Sequence, residues 1–237
     1  MELARLGLMG KHPGYGDFLR QGLSDHVVEG LSAWLDRTLP SLRDDAAEHW
    51  PSYWDSARRL RFWIGPEVFG ATLAGILQPS NDKVGRRYPF LLLAEGAAVA
   101  APVADAAQTV YESLEDHIAA MTPGVGAQAL LAGLDLEIPA EAGPAEGGDR
   151  SLVFAHRTDG DLDKLLRAAA PVDCQYGMLG RSYWWCPGQP GMAAVWLGQA
   201  GLPGPASLGW LLAPLSVSEP APAAASTPDK ARQEGAP

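Results

Sequence analysis

Three short apolar runs in the middle of the chain constrain its fold more than any other feature. They read RRLRFWIG, ATLAGILQPS and YPFLLLAE, and only PEVFG and NDKVGRR separate them. A crossover between parallel strands needs about a dozen residues or more, so connections this short favour antiparallel neighbours. The pattern therefore predicts an antiparallel meander.

The segments before the meander predict one strand and two helices. LARLGLMG reads as a first buried strand that runs into a glycine-rich loop. From Ser24 the apolar residues recur every three or four positions, which predicts a helix that Ser24 caps. Pro40 is expected to interrupt this helix, with a second acidic helix following over residues 41–50.

The second half of the chain predicts further helices and a hairpin. Residues 103–121 read as an amphipathic helix, with Glu112, Glu115 and Asp116 in water. SLVFAHR reads as a strand, DLDKLLRAAA as a helix capped by Asp159 or Asp161, and RSYWWCPG with MAAVWLGQ as a hairpin. A short helix is expected over residues 204–213.

These elements together predict an α/β fold of the α+β kind. We expect a single domain over residues 1–214, with a largely antiparallel central sheet flanked by helices. Residues 215–237 are rich in proline and alanine and have no large apolar residue after Val217, so we expect a disordered tail.

Composition and charge narrow the possible functions. A formal net charge of -10 argues against a nucleic-acid-binding surface, which would need a basic stripe. The N-terminus carries no pattern of a signal peptide, and no apolar stretch approaches the ~20 residues of a transmembrane helix. The two cysteines, Cys174 and Cys186, encode no disulfide framework. We therefore expect a cytoplasmic protein.

The stretch GLMGKHPGYGDF invites comparison with phosphate-binding loops, and the comparison fails. A P-loop needs a glycine where Arg5 stands and a serine or threonine where His12 stands. The five histidines never pair at metal-ligand spacing, and no nucleophile motif is present. We expect neither an enzyme nor a bound cofactor or metal, and we assign Gly10, Gly14 and Gly16 to a sharp turn after the first strand.

A second polar loop, PSNDKVGRRYP at residues 79–89, carries more charge than a plain hairpin turn needs. We call it the polar loop, and we call residues 10–18 the glycine loop. In one interpretation, Lys11, Asp17, Asp82 and Arg86 tie the two loops together as a structural ion-pair network. In the other, the two loops form one rim that a partner or an anion recognises, and both interpretations stay open at this point.

Eight tryptophans are many for this length, and tryptophan is enriched at the energetic centres of protein interfaces. Most of the eight have apolar neighbours in the sequence, which is typical of a core. The adjacent Trp184 and Trp185 should point to opposite faces of a strand. One of this pair is therefore expected to lie outside the core as an exposed anchor for a partner.

The chain resembles the TagF/ImpM family of type VI secretion-associated proteins. The resemblance rests on GLMGKHPGYGDFLRQGL, AGILQPSNDKVGRRYPFLLLA and RSYWWCPG, in that order, and it covers roughly residues 5–213. The positions that match the family's signature are Gly10, Lys11, Pro13, Gly16, Asp17, Phe18, Pro79, Ser80, Asp82, Gly85, Arg86, Pro89 and Trp185.

The resemblance implies a cytoplasmic accessory protein that represses type VI secretion after translation. In the family this involves contact with the forkhead-associated scaffold protein of the apparatus, beside a threonine kinase and phosphatase pathway. Some members are fused to a phosphatase domain of the PP2C type, which we do not expect here. The alternative is a small enzyme or a phosphate- or phosphopeptide-responsive sensor that uses Lys11, Asp17, Asp82, Arg86 and Arg87.

Overall fold

A seven-stranded sheet forms the centre of the structure, a computed structural model that describes residues 2–141, 156, 158, 161–188 and 192–214. Its strands are β1 (Arg5–Gly10), β2 (Leu19–Gln21), β3 (Leu60–Ile64), β4 (Leu73–Gln78), β5 (Phe90–Glu95), β6 (Arg181–Cys186) and β7 (Val195–Ala200). Their order is β2-β1-β5-β4-β3-β6-β7, and all neighbouring pairs are antiparallel. The predicted meander and the predicted hairpin of β6 with β7 are both confirmed.

Helices cover both faces of this sheet. They are α1 (Asp25–Ala46), α2 (Trp50–Asp55), α3 (Pro66–Phe69), α4 (Thr109–Ala120), α5 (Leu162–Met178) and α6 (Pro205–Leu212). One apolar cluster joins α1, α2 and α6 to the sheet, and a second joins α4 and the end of α5 to the opposite face. The α+β class with a central antiparallel sheet is therefore confirmed.

Burial on both faces explains why the central strands read as continuous apolar runs. Every residue of β3 and β5 is buried, and β4 is buried except at its last residue. Strands covered on one face alternate between apolar and polar residues, whereas strands covered on both faces do not. The polar exception in β3 is Arg61, which pairs with Glu115 of a helix that covers the sheet.

Helix α1 runs straight through the position where we expected a break. Ser24 caps it as predicted, with Val27 N–H donating to the Ser24 hydroxyl at 3.4 Å. Pro40 is exposed, while Leu39 and Leu42 on either side of it continue the buried stripe. A proline removes one backbone hydrogen bond of the helix, but packing of the buried face against α6 holds the two halves in one element. The predicted interruption at Pro40 is wrong.

Helix α4 differs from its prediction in length and in one side chain. It begins at Thr109, since residues 101–107 form turns closed by Ala104 N–H to Ala101 O and by Ala107 N–H to the Asp105 carboxylate. Glu112 and Asp116 are exposed as expected. Glu115 instead faces the sheet, where Arg61 Nη2 lies 2.6 Å from its Oε2. The expectation that Glu115 lies in water is wrong because its partner comes from a distant strand.

The remaining predictions fall partly outside the described residues. Asp161 caps α5, with Lys164 N–H donating to its carboxylate at 3.0 Å, and the helix extends beyond the predicted segment to Met178. Most of the predicted strand SLVFAHR and the whole tail at residues 215–237 lie outside the described part. Among the described residues, no helix combines the length and the apolar character needed to cross a membrane.

Candidate functional site

Asp82 is the point at which the glycine loop and the polar loop are joined. Its Oδ2 accepts hydrogen bonds from Lys11 Nζ at 3.0 Å and from Arg86 Nε at 2.5 Å. Its Oδ1 accepts from the backbone N–H groups of Val84 at 3.1 Å and Arg86 at 2.9 Å. The side chain is fully buried. We call this group of contacts the Asp82 junction.

The Asp82 junction holds the carboxylate in its ionised form. Burial alone would raise the pKa of this carboxyl group. The hydrogen bonds from Arg86 N–H, from the Lys11 and Arg86 side chains and from Val84 N–H outweigh that effect and lower the pKa well below its usual range. At neutral pH Asp82 therefore carries a negative charge that two cations and two backbone dipoles balance.

Backbone contacts complete the connection between the two loops. Lys83 N–H donates to Tyr15 O at 2.8 Å, and Arg86 Nη2 donates to Gly16 O at 2.7 Å. Gly10 adopts a φ of 114°, and a Cβ at this position would overlap the carbonyl oxygen of Pro89. Gly10 therefore lets β1 pass close to the end of the polar loop, as the sharp turn predicted there requires.

The other signature positions divide into structural and exposed groups. Pro89 is buried, Pro79 and Ser80 are partly buried, and Gly85 occupies the turn of the polar loop with a φ of 86°. Pro13, Asp17 and Phe18 are exposed. Asp17 makes no hydrogen bond or ion pair with any residue of the described ranges, so the predicted network contains Lys11, Asp82 and Arg86 but not Asp17.

Trp184 and Trp185 point to opposite faces of β6, as predicted, but neither is exposed. Trp184 has no exposed surface and stacks on Phe62 with ring centroids 4.9 Å apart. Trp185 is 8% exposed and meets Tyr111 edge-on at 4.8 Å. Because helices cover both faces of the sheet, the expectation of an exposed anchor in this pair is wrong. The exposed tryptophans of the described part are Trp196 and Trp210.

A cleft of about 720 Å³ lies between the second half of α1 and the polar loop. We call it the α1 cleft. Its lining includes the apolar Leu39, Pro40, Trp50 and Tyr88 and the charged Asp36, Arg43, Asp44, Arg86 and Arg87. The Asp82 junction holds one wall of the cleft in place, since Arg86 belongs to both.

The charges of the α1 cleft are partly neutralised within the molecule. Arg87 forms a bidentate pair with Asp55, with N–O distances of 3.0 and 2.9 Å. This pairing lowers the pKa of the Asp55 carboxyl group and raises that of Arg87. Arg43 is exposed and makes no ion pair within the described ranges. Arg43 is therefore available to an acidic group that enters the cleft.

Sequence reasoning missed the α1 cleft because its walls are distant in the chain. Arg43 and Trp50 come from the end of α1 and the start of α2, whereas Tyr88 comes from the polar loop. Two signals were available in the sequence: the adjacent arginines of the polar loop, and the aromatic segment HWPSYW at residues 49–54. Phe18 extends the rim, because its ring meets Tyr88 edge-on at 5.8 Å.

The described part is thus an α/β domain of three layers, in which the glycine loop and the polar loop are fixed to each other beside the α1 cleft. Residues 7–136 match the TagF N-terminal domain, which is described as type VI secretion system-associated. The match spans more than half of the sequence, so the chain belongs to the TagF family, as the resemblance predicted.

The fold is also seen in a solved structure. PA0076 from Pseudomonas aeruginosa PAO1, a crystal structure at 2.05 Å resolution, superimposes with a TM-score of 0.66. The alignment covers 91% of this chain and 97% of PA0076, at 23% sequence identity, and it shows that the two proteins share a fold. No curated protein matches the chain.

Proposed function

We propose that the protein is a non-enzymatic cytoplasmic regulator that represses the type VI secretion system after translation by binding one of its components. The observation that carries this proposal is membership of the TagF family over residues 7–136. The family resemblance gives the forkhead-associated scaffold protein of the apparatus as the partner.

The chemistry of the Asp82 junction supports binding rather than catalysis. A general base needs an accessible lone pair and a pKa near the working pH. Asp82 is buried, its two oxygens already accept four hydrogen bonds, and its pKa lies well below the usual range. Such a carboxylate suits the fixing of two loops, and it gives the loops a rigid surface to present to a partner.

The α1 cleft is the surface that we propose for the partner. Its lining combines the apolar Leu39 and the partly buried Trp50 with side chains of both charges. Interfaces commonly place an aromatic residue and arginine near a desolvated centre inside a polar rim. Trp50 is held from behind by Tyr53 and Trp54, with ring centroids 6.0 and 5.1 Å away. Little ordering of this side chain is then needed on binding.

Calorimetry with the scaffold protein from the same genome tests the proposal. Arg43→Glu reverses a charge at the cleft, and we expect affinity to fall by about tenfold or more, equivalent to ~1.4 kcal/mol per factor of ten. Arg37→Glu is the matched control, since Arg37 is also exposed on α1 but does not line the cleft. In cells, the Arg43 variant should release secretion while the Arg37 variant represses it.

The possible outcomes test the proposed partner and the proposed binding surface independently of each other. If the unmodified protein does not bind the scaffold, the proposed partner is wrong. If it binds and the two variants bind equally well, the partner stands and the α1 cleft is the wrong surface. Secretion that is unchanged in cells lacking the protein would contradict a repressor.

The second candidate function is a sensor of phosphate or of a phosphorylated segment. It is favoured by the three arginines at the α1 cleft, although Arg86 and Arg87 already pair with Asp82 and Asp55. Thermal shifts with inorganic phosphate, nucleotides and a phosphothreonine peptide test it. Saturation at a hundredfold excess over Kd would stabilise the protein by about 2.7 kcal/mol. No shift with any of these ligands would eliminate the sensor.

A further inference from the structure

The two edges of the sheet differ in how well they are protected against pairing. At one edge, β2 has three residues and carries the exposed Arg20. At the other edge, β7 has six residues, VWLGQA, without a charge or a proline. No strand of the described ranges pairs with the outer side of β7. Proteins usually shorten, charge or cover an edge strand, because an open edge pairs readily with another chain.

The hydrogen-bond pattern shows which backbone groups of β7 face outward. Gly201 N–H donates to Gly180 O at 3.0 Å, and Arg181 O accepts from Gly65 N–H at 2.8 Å on the other side of β6. Antiparallel pairs alternate between bonded and non-bonded positions, so in the observed register Val195, Leu197 and Gln199 bond to β6. The N–H and C=O groups of the alternate residues, Trp196, Gly198 and Ala200, then point away from the sheet.

The outward-facing N–H and C=O groups of β7 can pair with the same groups of a second copy. A two-fold axis through Gly198 would place Gly198 opposite its copy and Trp196 opposite Ala200 of the second copy. The three resulting pairs are Gly198 with its copy and Trp196 with Ala200 once in each direction. All three would lie at hydrogen-bonded positions, each with about two bonds. A two-fold interface requires that one patch fits itself in this way.

The side chains at the edge also fit a second copy. Trp196 is 51% exposed and stacks on Tyr183 with ring centroids 5.9 Å apart. Its ring lies over Gly198, where a Cβ would come within 2.9 Å of it. Across the axis the ring would meet only Gly198 and Ala200, which leave room for it and would bury its exposed surface.

We propose that β7 pairs with β7 of a second copy of this chain and forms a two-fold dimer in which the sheets are continuous. The dimer uses the opposite end of the sheet from β2 and does not use the α1 cleft. Self-association is chosen over a foreign strand because the large Trp196 of one copy would lie opposite the small Ala200 of the other and because β7 carries no charge that would repel its copy.

Light scattering coupled to gel filtration, over low micromolar to near-millimolar protein, tests the proposal. The wild-type chain should reach twice its mass of 25.1 kDa. Ala200→Pro removes an outward N–H that β6 does not use, and proline is accepted at such an edge position. Trp196→Lys places a charge on the edge. Both variants should remain monomeric, whereas Trp210→Lys, at another exposed tryptophan, should leave the dimer intact.

Amide hydrogen exchange of the wild-type chain gives a second test that needs no variant. The amides of Trp196, Gly198 and Ala200 should become more protected as protein concentration rises. A monomer at every concentration overturns the proposal, and so does a dimer that survives both edge variants. Edge amides that are protected in a sample that light scattering shows to be monomeric would also overturn it, since another segment of the same chain would then cover β7.

Discussion

Asp82 fixes the local geometry of both family motifs. Its carboxylate holds Lys11 from the glycine loop and Arg86 from the polar loop, and Arg86 in turn reaches Gly16 O. The sequence placed these charges on two loops between strands, but it could not show that Asp82 is the centre or that Asp17 stands apart. Which side chain is buried depends on how the two loops meet, and they meet across 71 residues of sequence.

The stability of the protein should depend on pH through Asp82. The folded pKa lies below the unfolded value of about 3.9, so the unfolded chain takes up the proton first as pH falls. The stabilisation is therefore present above about pH 4 and is lost as the pH drops toward the folded pKa. Urea midpoints at pH 7, 5 and 3 should fall less steeply for Asp82→Asn, which is already weaker at pH 7.

Asp17→Asn is the control for this experiment, because it makes the same chemical change on an exposed carboxylate without a bond in the described ranges. Its pH profile should follow that of the wild type. Parallel profiles for the wild type and Asp82→Asn would contradict the assigned role of Asp82.

Two glycines of the same loop should respond oppositely to alanine. Gly10→Ala forces a side chain into the left-handed region and against Pro89 O, so we expect a loss of about 1–3 kcal/mol in the free energy of unfolding. A Cβ at Gly16 would meet no atom within 4 Å, so Gly16→Ala should change the free energy of unfolding by less than about 0.5 kcal/mol. Chemical denaturation measures both. Equal losses would mean that the glycine loop is sensitive throughout.

At the scale of elements, local patterns predicted the strands well and their surroundings poorly. The meander and the β6–β7 hairpin follow from apolar runs and short connections, which are local in sequence. The burial of Trp184 and Trp185 depends on α1 and α4 covering opposite faces, and no local pattern reports that. The predicted break at Pro40 was wrong for the same reason, since long-range packing of α1 outweighs one missing hydrogen bond.

The buried ion pair between β3 and α4 is another feature that the local sequence patterns did not predict. Arg61 is 5% exposed and forms a bidentate pair with Glu115 across 54 residues. Gln108 accepts from both Arg61 and the Trp185 indole through its Oε1. The polar residues of these elements thus attach α4 to the sheet in one register. The available signal was an arginine inside an apolar strand.

Removing Glu115 should therefore cost far more than removing its exposed neighbour. Glu115→Ala leaves Arg61 buried without its carboxylate, and we expect a loss of about 3 kcal/mol or more in the free energy of unfolding. Glu112→Ala, on the outer side of the same helix, should stay within about 0.5 kcal/mol. Urea denaturation followed by tryptophan fluorescence measures both. A small loss for Glu115→Ala would show that Arg61 finds another partner.

At the scale of the whole molecule, the reactivity of the two cysteine thiols can be used to follow unfolding, because one is exposed and the other is buried. Cys174 is exposed on α5, whereas Cys186 is buried at the end of β6, where burial raises the pKa of its thiol. Because the thiolate is the reactive form, a maleimide at neutral pH should label Cys174 quickly and Cys186 only after unfolding. Mass spectrometry of labelled native and denatured protein checks this. Cys174→Ser is the control, and fast double labelling of the native protein would contradict the buried position of Cys186.

The strand order also sets the sequence in which the sheet can assemble as the chain leaves the ribosome. Strands β3, β4 and β5 are adjacent in sequence and in space, whereas β1 must wait for β5 and β6 returns to β3 from more than a hundred residues downstream. Pairings of such separation close late and slow the folding of a domain. The nascent protein can therefore complete its central meander before β1 docks on β5, and the C-terminal hairpin that carries the uncharged edge pairs with β3 last. That edge is exposed to other chains for the shortest part of synthesis.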